Sequence, residues 1–274
     1  MRSVLAALAA LFAVFCGIGF WNATRPPVVV EVAIPMEGLA AGTRIRVAHI
    51  TDTHVGNPDM RRARLEAIVD QVNALKPDLI VLTGDYHGGK LLDWPRTRLE
   101  QSIEPLARLS APLGVYAIMG NHDEAYWTPK IFALQPVPKL IVNSHVDIGP
   151  FVIAGVDSAS HRPDLYRAAK GIPPGRPVLL LLHEPIQLLW QKPPRPMLAL
   201  AGHTHGGQII LPLIGSIGDI VTGKEPCPRG LCTLNGQPVF VSSGVGTSWV
   251  PMRYGVPPEI ALITLHARRP SPLP

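Results

Sequence analysis

Charge is what this chain has least of. Only 16% of its 274 residues are charged, against 47% hydrophobic, and no lysine–arginine run is long enough to act as a nucleic-acid arm. The net charge of +5 is therefore diffuse. It suits a phosphate-bearing substrate or an anionic membrane surface, and no specific nucleic-acid partner is expected. Cysteine is nearly as scarce. Cys16 lies in an apolar N-terminal block, while Cys227 and Cys232 flank Pro-Arg-Gly-Leu. A small loop disulfide in an oxidising compartment fits this spacing better than metal ligation, because no other Cys is available to complete a structural zinc site. Internal repeats are absent, and the 30 prolines and 25 glycines are scattered between apolar runs without forming a low-complexity tract. Such a chain reads as one α/β domain, long enough to bury a substantial core.

The longest uncharged stretch runs from Val4 to Trp21, preceded by Arg2 and followed by Asn22-Ala23-Thr24-Arg25-Pro26-Pro27. Its eighteen residues reach the lower limit of a membrane span and also match a signal peptide with a long apolar region. No clear Ala-x-Ala cleavage site follows, so residues 1–25 are expected to be an uncleaved signal-anchor and residues 26–274 the folded domain. The N-terminus plus Arg2 outweighs Arg25 in positive charge, which predicts a domain outside the cytoplasm, with cleavage and secretion as the alternative.

Beyond the Pro-Pro break, Val28 to Ile34 and Arg44 to Thr51 are rich in Val and Ile and read as strands. Leu65, Ile68, Val69, Val72 and Leu75 recur at helical spacing between Met60 and Lys76, and Pro77 stops that helix. Further strands are expected over Asp78–Thr83, Gly114–Met119, Lys139–Val142, Phe151–Val156, Val178–Leu182, Met197–Ala201, Ile209–Leu211, Pro238–Ser242 and Glu259–His266, with a second helix over Thr97–Leu109. Alternating β and α followed by mostly β predicts two packed sheets with helices outside them. A long Gly-containing loop from Leu213 to Cys232 carries Lys224 and Arg229.

Apolar strands in this list end repeatedly in the same kinds of residue. Asp52 and His54, Asp85, Asn121 and His122, His183, and finally His203 and His205 each follow one. The carboxyl ends of strands are where α/β sites assemble. An isolated His-x-His is equally a polar surface turn; four further clusters of this type make it part of a metal site. Carboxylate, amide oxygen and imidazole together suit manganese, iron or zinc better than calcium. Seven ligands are too many for one tetrahedral ion. Two divalent ions sharing one carboxylate account for them, with Asp52, His54, Asp85 and His205 on one ion and Asp85, Asn121, His183 and His203 on the other. Such a pair, roughly 3.5–4 Å apart, would activate a bridging hydroxide and neutralise phosphate oxygens. His122, next to a ligand, is placed to donate a proton to a departing alkoxide, with Asp123 orienting it, or merely to cap the turn. His87 reads as support or surface, and His145, His161 and His266 stand outside any motif.

The series Asp52-x-His54, Gly84-Asp85, Gly120-Asn121-His122-Asp123, His183 and Gly202-His203-x-His205 resembles the full signature of the calcineurin-like metallophosphoesterases, the purple acid phosphatase-type fold. The likeness covers about Arg44 to Leu265. Gly244-Val245-Gly246-Thr247-Ser248 with Pro251, Arg253 and Pro258-Glu259-Ile260 is similar to a bacterial branch often carrying a membrane or export segment. The resemblance implies a four-layer α/β/β/α sandwich, the dinuclear ligand set above, His122 as proton donor or phosphate contact, and the bacterial inner membrane as location. Asp123, Lys224, Arg229 and Arg253 are candidates for supporting the ligands or touching substrate. Two departures matter. Ser243 stands where many relatives have a basic residue, and Tyr86-His87-Gly88-Gly89 after Asp85 is unlike the protein-phosphatase branch. The expected activity is a membrane-tethered phosphohydrolase acting on a small or lipid-linked phosphate ester. Its alternatives are a pyrophosphatase of a lipid-linked nucleotide resembling UDP-diacylglucosamine and a catalytically silent scaffold.

Overall fold

The computed structural model describes residues 1–268. Its strands are, in chain order, β1 (Val28–Met36), β2 (Arg44–Ile50), β3 (Leu79–Leu82), β4 (Val115–Ala117), β5 (Lys139–Leu140), β6 (Ser144–Asp147), β7 (Val152–Gly155), β8 (Val178–Leu181), β9 (Leu198–Ala201), β10 (Ile210–Leu211), β11 (Gly215–Ser216), β12 (Gly230–Leu234), β13 (Gln237–Val241) and β14 (Glu259–Ala267). The α-helices are α1 (Arg2–Thr24), α2 (Arg62–Ala74), α3 (Glu100–Ile103), α4 (Trp127–Ala133), α5 (Leu165–Ala169), α6 (Gln187–Trp190) and α7 (Ile217–Thr222).

Two six-stranded mixed sheets, in the orders β1-β14-β2-β3-β4-β5 and β12-β13-β9-β8-β7-β6, stack face to face. Alternation along the strands sends one residue set inward and the other outward. Val47, Leu79, Val81 and Ile118 of the first sheet meet Phe151, Ile153, Leu179, Leu181, Leu200 and Phe240 of the second in the central core. The alternate residues Ala48, Ile80, Leu82 and Ala117 pack under Leu65, Ile68, Val69 and Val72 of α2. On the other outer face, Ala154, Leu180, Ala199 and Val241 pack under Leu165, Ala168 and Leu188. This is the four-layer α/β/β/α sandwich. Strands β2, β3 and β4 run parallel, as do β7, β8 and β9, so their carboxyl ends lie along sheet edges that can share one site.

The structure departs from the sequence reading where polarity hides an element. The helix expected over Thr97–Leu109 is the single turn α3 followed by a 3-10 turn over Glu104–Arg108, because Pro105 supplies no N–H to continue an α-helix. Edge strand β6, Ser-His-Val-Asp, has one apolar residue and no alternation to reveal it. The loop from Leu213 to Cys232 holds β11, α7 and the start of β12, and Cys227 and Cys232 form a disulfide within it. Helix α1 is long and apolar enough to cross a membrane. It is mostly exposed, but its last turns dock on the sandwich: Gly19 packs against Met252 and Tyr254, its carbonyl accepts from the Arg253 N–H at 3.0 Å, and Phe15 stacks on Tyr254.

Candidate metal centre

Each sheet delivers its candidate ligands from the turn immediately after a parallel strand. Asp52 and His54 follow β2, Asp85 follows β3 and Asn121 lies beyond β4; His183 follows β8, and His203 and His205 follow β9. Five of these residues have left-handed backbones, with φ of 54° at Asp52, 41° at His54, 58° at Asp85, 72° at His203 and 51° at His205. A non-glycine residue held there costs on the order of 1–3 kcal/mol and persists only if its surroundings fix it. The surroundings are backbone hydrogen bonds between neighbouring turns: Asp52 N–H to the Gly84 carbonyl at 3.1 Å, His54 N–H to the Asp85 carbonyl at 2.9 Å, and Gly246 N–H to the Asp52 carbonyl at 2.8 Å. Close approach also demands glycine. A Cβ on Gly120 would overlap the Asp85 carboxylate, and one on Gly202 would overlap Thr51 and Asp52.

The side chains converge in two groups, Asp52–His54–His205 and Asp85–His183–His203. In the first, His54 Nε2 lies 3.1 Å from His205 Nε2, and His205 Nε2 lies 3.5 Å from Asp52 Oδ1. In the second, Asn121 Oδ1 stands 3.1 Å from His183 Nε2 and 2.9 Å from His203 Nδ1. Asp85 Oδ2 touches both, at 3.3 Å from His54 Nε2 and 3.2 Å from His183 Nε2. Donors bound at 2.0–2.2 Å to one ion, at tetrahedral or octahedral angles, are about 3.0–3.5 Å apart. The donor set thus has the spacing and chemistry of divalent-metal ligands.

The remaining atoms of these residues are used to hold them. His54 Nδ1 faces the Gly88 carbonyl at 2.9 Å and His183 Nδ1 the Thr83 carbonyl at 2.6 Å, which directs each Nε2 inward. Asp85 Oδ1 accepts from the His122 N–H at 2.8 Å, leaving Oδ2 free for the imidazoles. Burial works against the charges of Asp85 and His183. Their mutual attraction nevertheless holds the carboxyl well below and the imidazole well above their ordinary values. Burial lowers His203 to about 4 and depresses His205 and His122.

The supporting candidates separate clearly. Asp123 does not hold His122: its carboxylate accepts from the backbone N–H groups of Gly120, Asp85 and Tyr86 at 2.8–2.9 Å, clamping two ligand-bearing turns together. Arg253 is fully buried and donates to the carbonyls of Ser243 at 2.7 Å and Gly246 at 2.6 Å, which makes it a brace for the loop behind Asp52. Lys224 and Arg229 are exposed and do not line the cavity of about 590 Å³ in which Asp85, Asn121, His122, His203 and His205 are found. His122 is half-buried there, its ring centroid 5.1 Å from that of His54. One brace was not foreseen. Lys90 Nζ donates to both Asp59 oxygens at 2.7 Å and to Thr247 Oγ1 at 2.9 Å, joining three loops around the site in a fully desolvated pair. Nothing in the local sequence of Lys90 marks it, because its partners are distant in the chain.

The calcineurin-like phosphoesterase model matches residues 45–207, which contain all seven converging side chains. The chain belongs to that family. It is 32% identical to a metallophosphoesterase of Aquifex aeolicus, over 88% of this chain and 92% of that one. It is likewise 32% identical to the metallophosphoesterase YkuE of Bacillus subtilis, over 81% of this chain and 79% of that one. A "Transmembrane protein with metallophosphoesterase domain" of Danio rerio is 32% identical over 96% of this chain and 62% of its own length, so this chain spans about three-fifths of that relative.

The Asp85–His183 pair predicts how metal enters. An imidazole held in its protonated form must release that proton before Nε2 can ligate, so lowering the pH favours the pair over the metal. Manganese added to chelator-stripped protein in weak buffer is expected to release about one proton in all, the one held by His183. Calorimetry in buffers of differing ionisation enthalpy reads this number; heats independent of the buffer would contradict it.

Proposed function

We propose that this protein is a dinuclear metal-dependent phosphohydrolase, with residues 26–274 as catalytic domain and residues 1–25 as membrane anchor. The observation that carries the proposal is Asp85 Oδ2 standing within 3.3 Å of one imidazole from each ligand group, the position of a carboxylate shared by two ions. Two divalent ions there would supply Lewis acidity to phosphate oxygens and lower the pKa of water. Asp52, His54, Asp85 and His205 would hold one, and Asp85, Asn121, His183 and His203 the other. Manganese, iron and zinc all suit this donor set.

What the chain itself does is position and transfer protons. The Asp85 and Asp52 carboxylates are fixed through the backbone N–H groups of His122 and His203, so the ligand cage is built before substrate arrives. His122 opens onto the cavity beside the cage and is assigned the proton donor to the departing oxygen. No ligand position is lost, which argues against a silent scaffold. The apolar helix α1 and the transmembrane description of the Danio rerio relative support the anchor, placed in this reading in a bacterial inner membrane with the domain outside the cytoplasm.

Asp85→Asn removes a charge that both ions would share, and turnover is expected to fall on the order of a hundredfold or more, with bound metal reduced by elemental analysis. Two retained ions and near-normal turnover would refute the shared-carboxylate assignment. For His122→Ala, metal content should be unchanged. Loss on alkyl esters should reach about 10²–10⁴-fold and be much smaller on nitrophenyl esters, whose leaving groups need little protonation. A leaving-group series showing equal losses would leave His122 only a positional role.

A further inference from the structure

Helix α1 and the sandwich cannot both keep their apolar surfaces satisfied unless the edge of the sandwich enters the membrane boundary. The uncharged stretch from Val4 to Trp21 is about 27 Å long at 1.5 Å per residue, close to the thickness of a hydrocarbon core. Phe15 and Gly19, however, already pack against Tyr254 and Met252. Only residues 4–14, about 16 Å of helix, extend clear of the domain, which is too short to span. At the level of this dock the other side of α1 exposes Ile18, Phe20 and Trp21. Those side chains require an apolar surrounding, and the sandwich surface around Met252 and Tyr254 sits at the same depth.

The segment tied to that surface is unusually apolar. Ile210 at the start of the β10–β11 hairpin donates its N–H to the Tyr254 carbonyl at 2.9 Å, so the hairpin grows directly from the dock. Its tip presents Leu213 and Ile214, and α7 presents Ile220 and Val221, all exposed. Across the cavity mouth Trp249 is exposed as well. Isolated exposed hydrophobics are ordinary, but four large aliphatics within residues 213–221, continuous with the dock of an apolar helix, are a surface. Leu213 and Trp249 also hold left-handed backbones, φ 66° and 62°, a strain that bulky residues carry only where the fold imposes it.

This surface and the metal cavity share a wall. Ile217, Val221 and Trp249 line the same cavity as His122 and His203. Its charged lining residues besides Asp85 and the histidines are the acids Asp219 and Glu225, with no lysine or arginine among them. Beyond one metal-held phosphate, such a cavity offers nothing to a polyanion and much to an apolar body. We infer that the β10–β11 hairpin, α7 and Trp249 form a bilayer-contacting rim that opens the metal centre onto the membrane surface, and that the substrate is a phosphate ester of a membrane amphiphile. The substrate half of this inference rests on the phosphohydrolase reading above; the rim rests only on residues 1–25 being the membrane anchor.

The two halves are tested separately on the full chain. In a Cys16→Ser background, Leu213→Cys labelled with a nitrobenzoxadiazole fluorophore is placed in phosphatidylcholine vesicles bearing a nitroxide at acyl carbon 5. Tyr166→Cys, an exposed position on α5, is the comparison. Quenching of at least twofold at 213 with none at 166 is expected; equal behaviour at the two positions overturns the rim. For the substrate, the manganese-loaded protein is assayed on ethyl and hexadecyl 4-nitrophenyl phosphate in the same vesicles, which differ only in chain length. The hexadecyl ester should be favoured at least tenfold in kcat/KM. The Leu213→Ser/Ile214→Ser/Ile220→Ser variant, which leaves every cavity-lining residue in place, should lose that preference while ethyl-ester turnover stays within twofold. A wild-type protein indifferent to chain length, or a variant losing both activities equally, overturns the amphiphile assignment. Hydrolysis of neither ester, nor of 4-nitrophenyl phosphate, defeats the phosphohydrolase reading and the amphiphile assignment with it, and the quenching still decides the rim.

Discussion

Asp85 has two carboxylate oxygens, and the site depends on their being kept apart. Oδ1 accepts the His122 N–H, while Oδ2 lies between the imidazoles of His54 and His183, one from each sheet's ligand set. Were the carboxylate to rotate, both groups would lose a member at once. The geometry is therefore defended on every side: Gly120 leaves room for it, and Asp123 pins the backbone N–H groups of Gly120, Asp85 and Tyr86. Burying Asp123 next to Asp85 pushes its pKa up to about 7, which the backbone N–H groups of Gly120 and Tyr86 only partly counter. A motif that looks like Asn-His-Asp in a row thus distributes three different tasks over three adjacent side chains.

The same logic explains why so much of the site's support is buried and charged. Five candidate ligands in left-handed conformations would relax if their turns were free. Arg253, without access to water, ties down the carbonyls of the loop that backs Asp52, and the Lys90–Asp59 pair locks the loop that supplies Gly88 to the loop that supplies Thr247. Burial lowers both cations, to about 10 for Arg253 and about 8 for Lys90, against the pull of nearby carboxylates, Asp52 for Arg253 and Asp59 for Lys90. Removing such a partner leaves an uncompensated buried charge, which is far more damaging than losing a surface ion pair.

Legibility in the sequence followed chemistry and periodicity. The converging side chains stood at the ends of apolar strands such as Leu79–Leu82 and Leu198–Ala201, and that pattern survives in the fold because parallel strands deliver their carboxyl ends to one place. What escaped had no local signal. Edge strand β6 is polar, α3 is a single turn ended by Pro105, and the role of Lys90 depends on Asp59 and Thr247, thirty-one and 157 residues away. For Arg253 the sequence leaves support of the ligands and contact with substrate open, since it cannot distinguish an arginine that faces a phosphate from one that faces five backbone carbonyls.

Arg253 also joins two features that the sequence keeps at opposite ends. Its backbone N–H is bonded to Gly19 of the apolar helix, and its guanidinium is bonded to the loop carrying Gly244 and Gly246, which packs directly on Asp52. Between the apolar helix and the candidate ligand Asp52 there are thus only two hydrogen-bonded steps. Gly19 has to be glycine for this contact, because a Cβ there would strike Tyr254 and Met252. The helix is consequently seated in the domain at a fixed height and cannot behave as a loose tether. In the proposed membrane-bound protein such a seat would fix how far the cavity stands from the bilayer, with Trp249 and Val221 on the cavity wall facing it. On that proposal, depth of insertion and access to the candidate metal centre would be set by the same few residues.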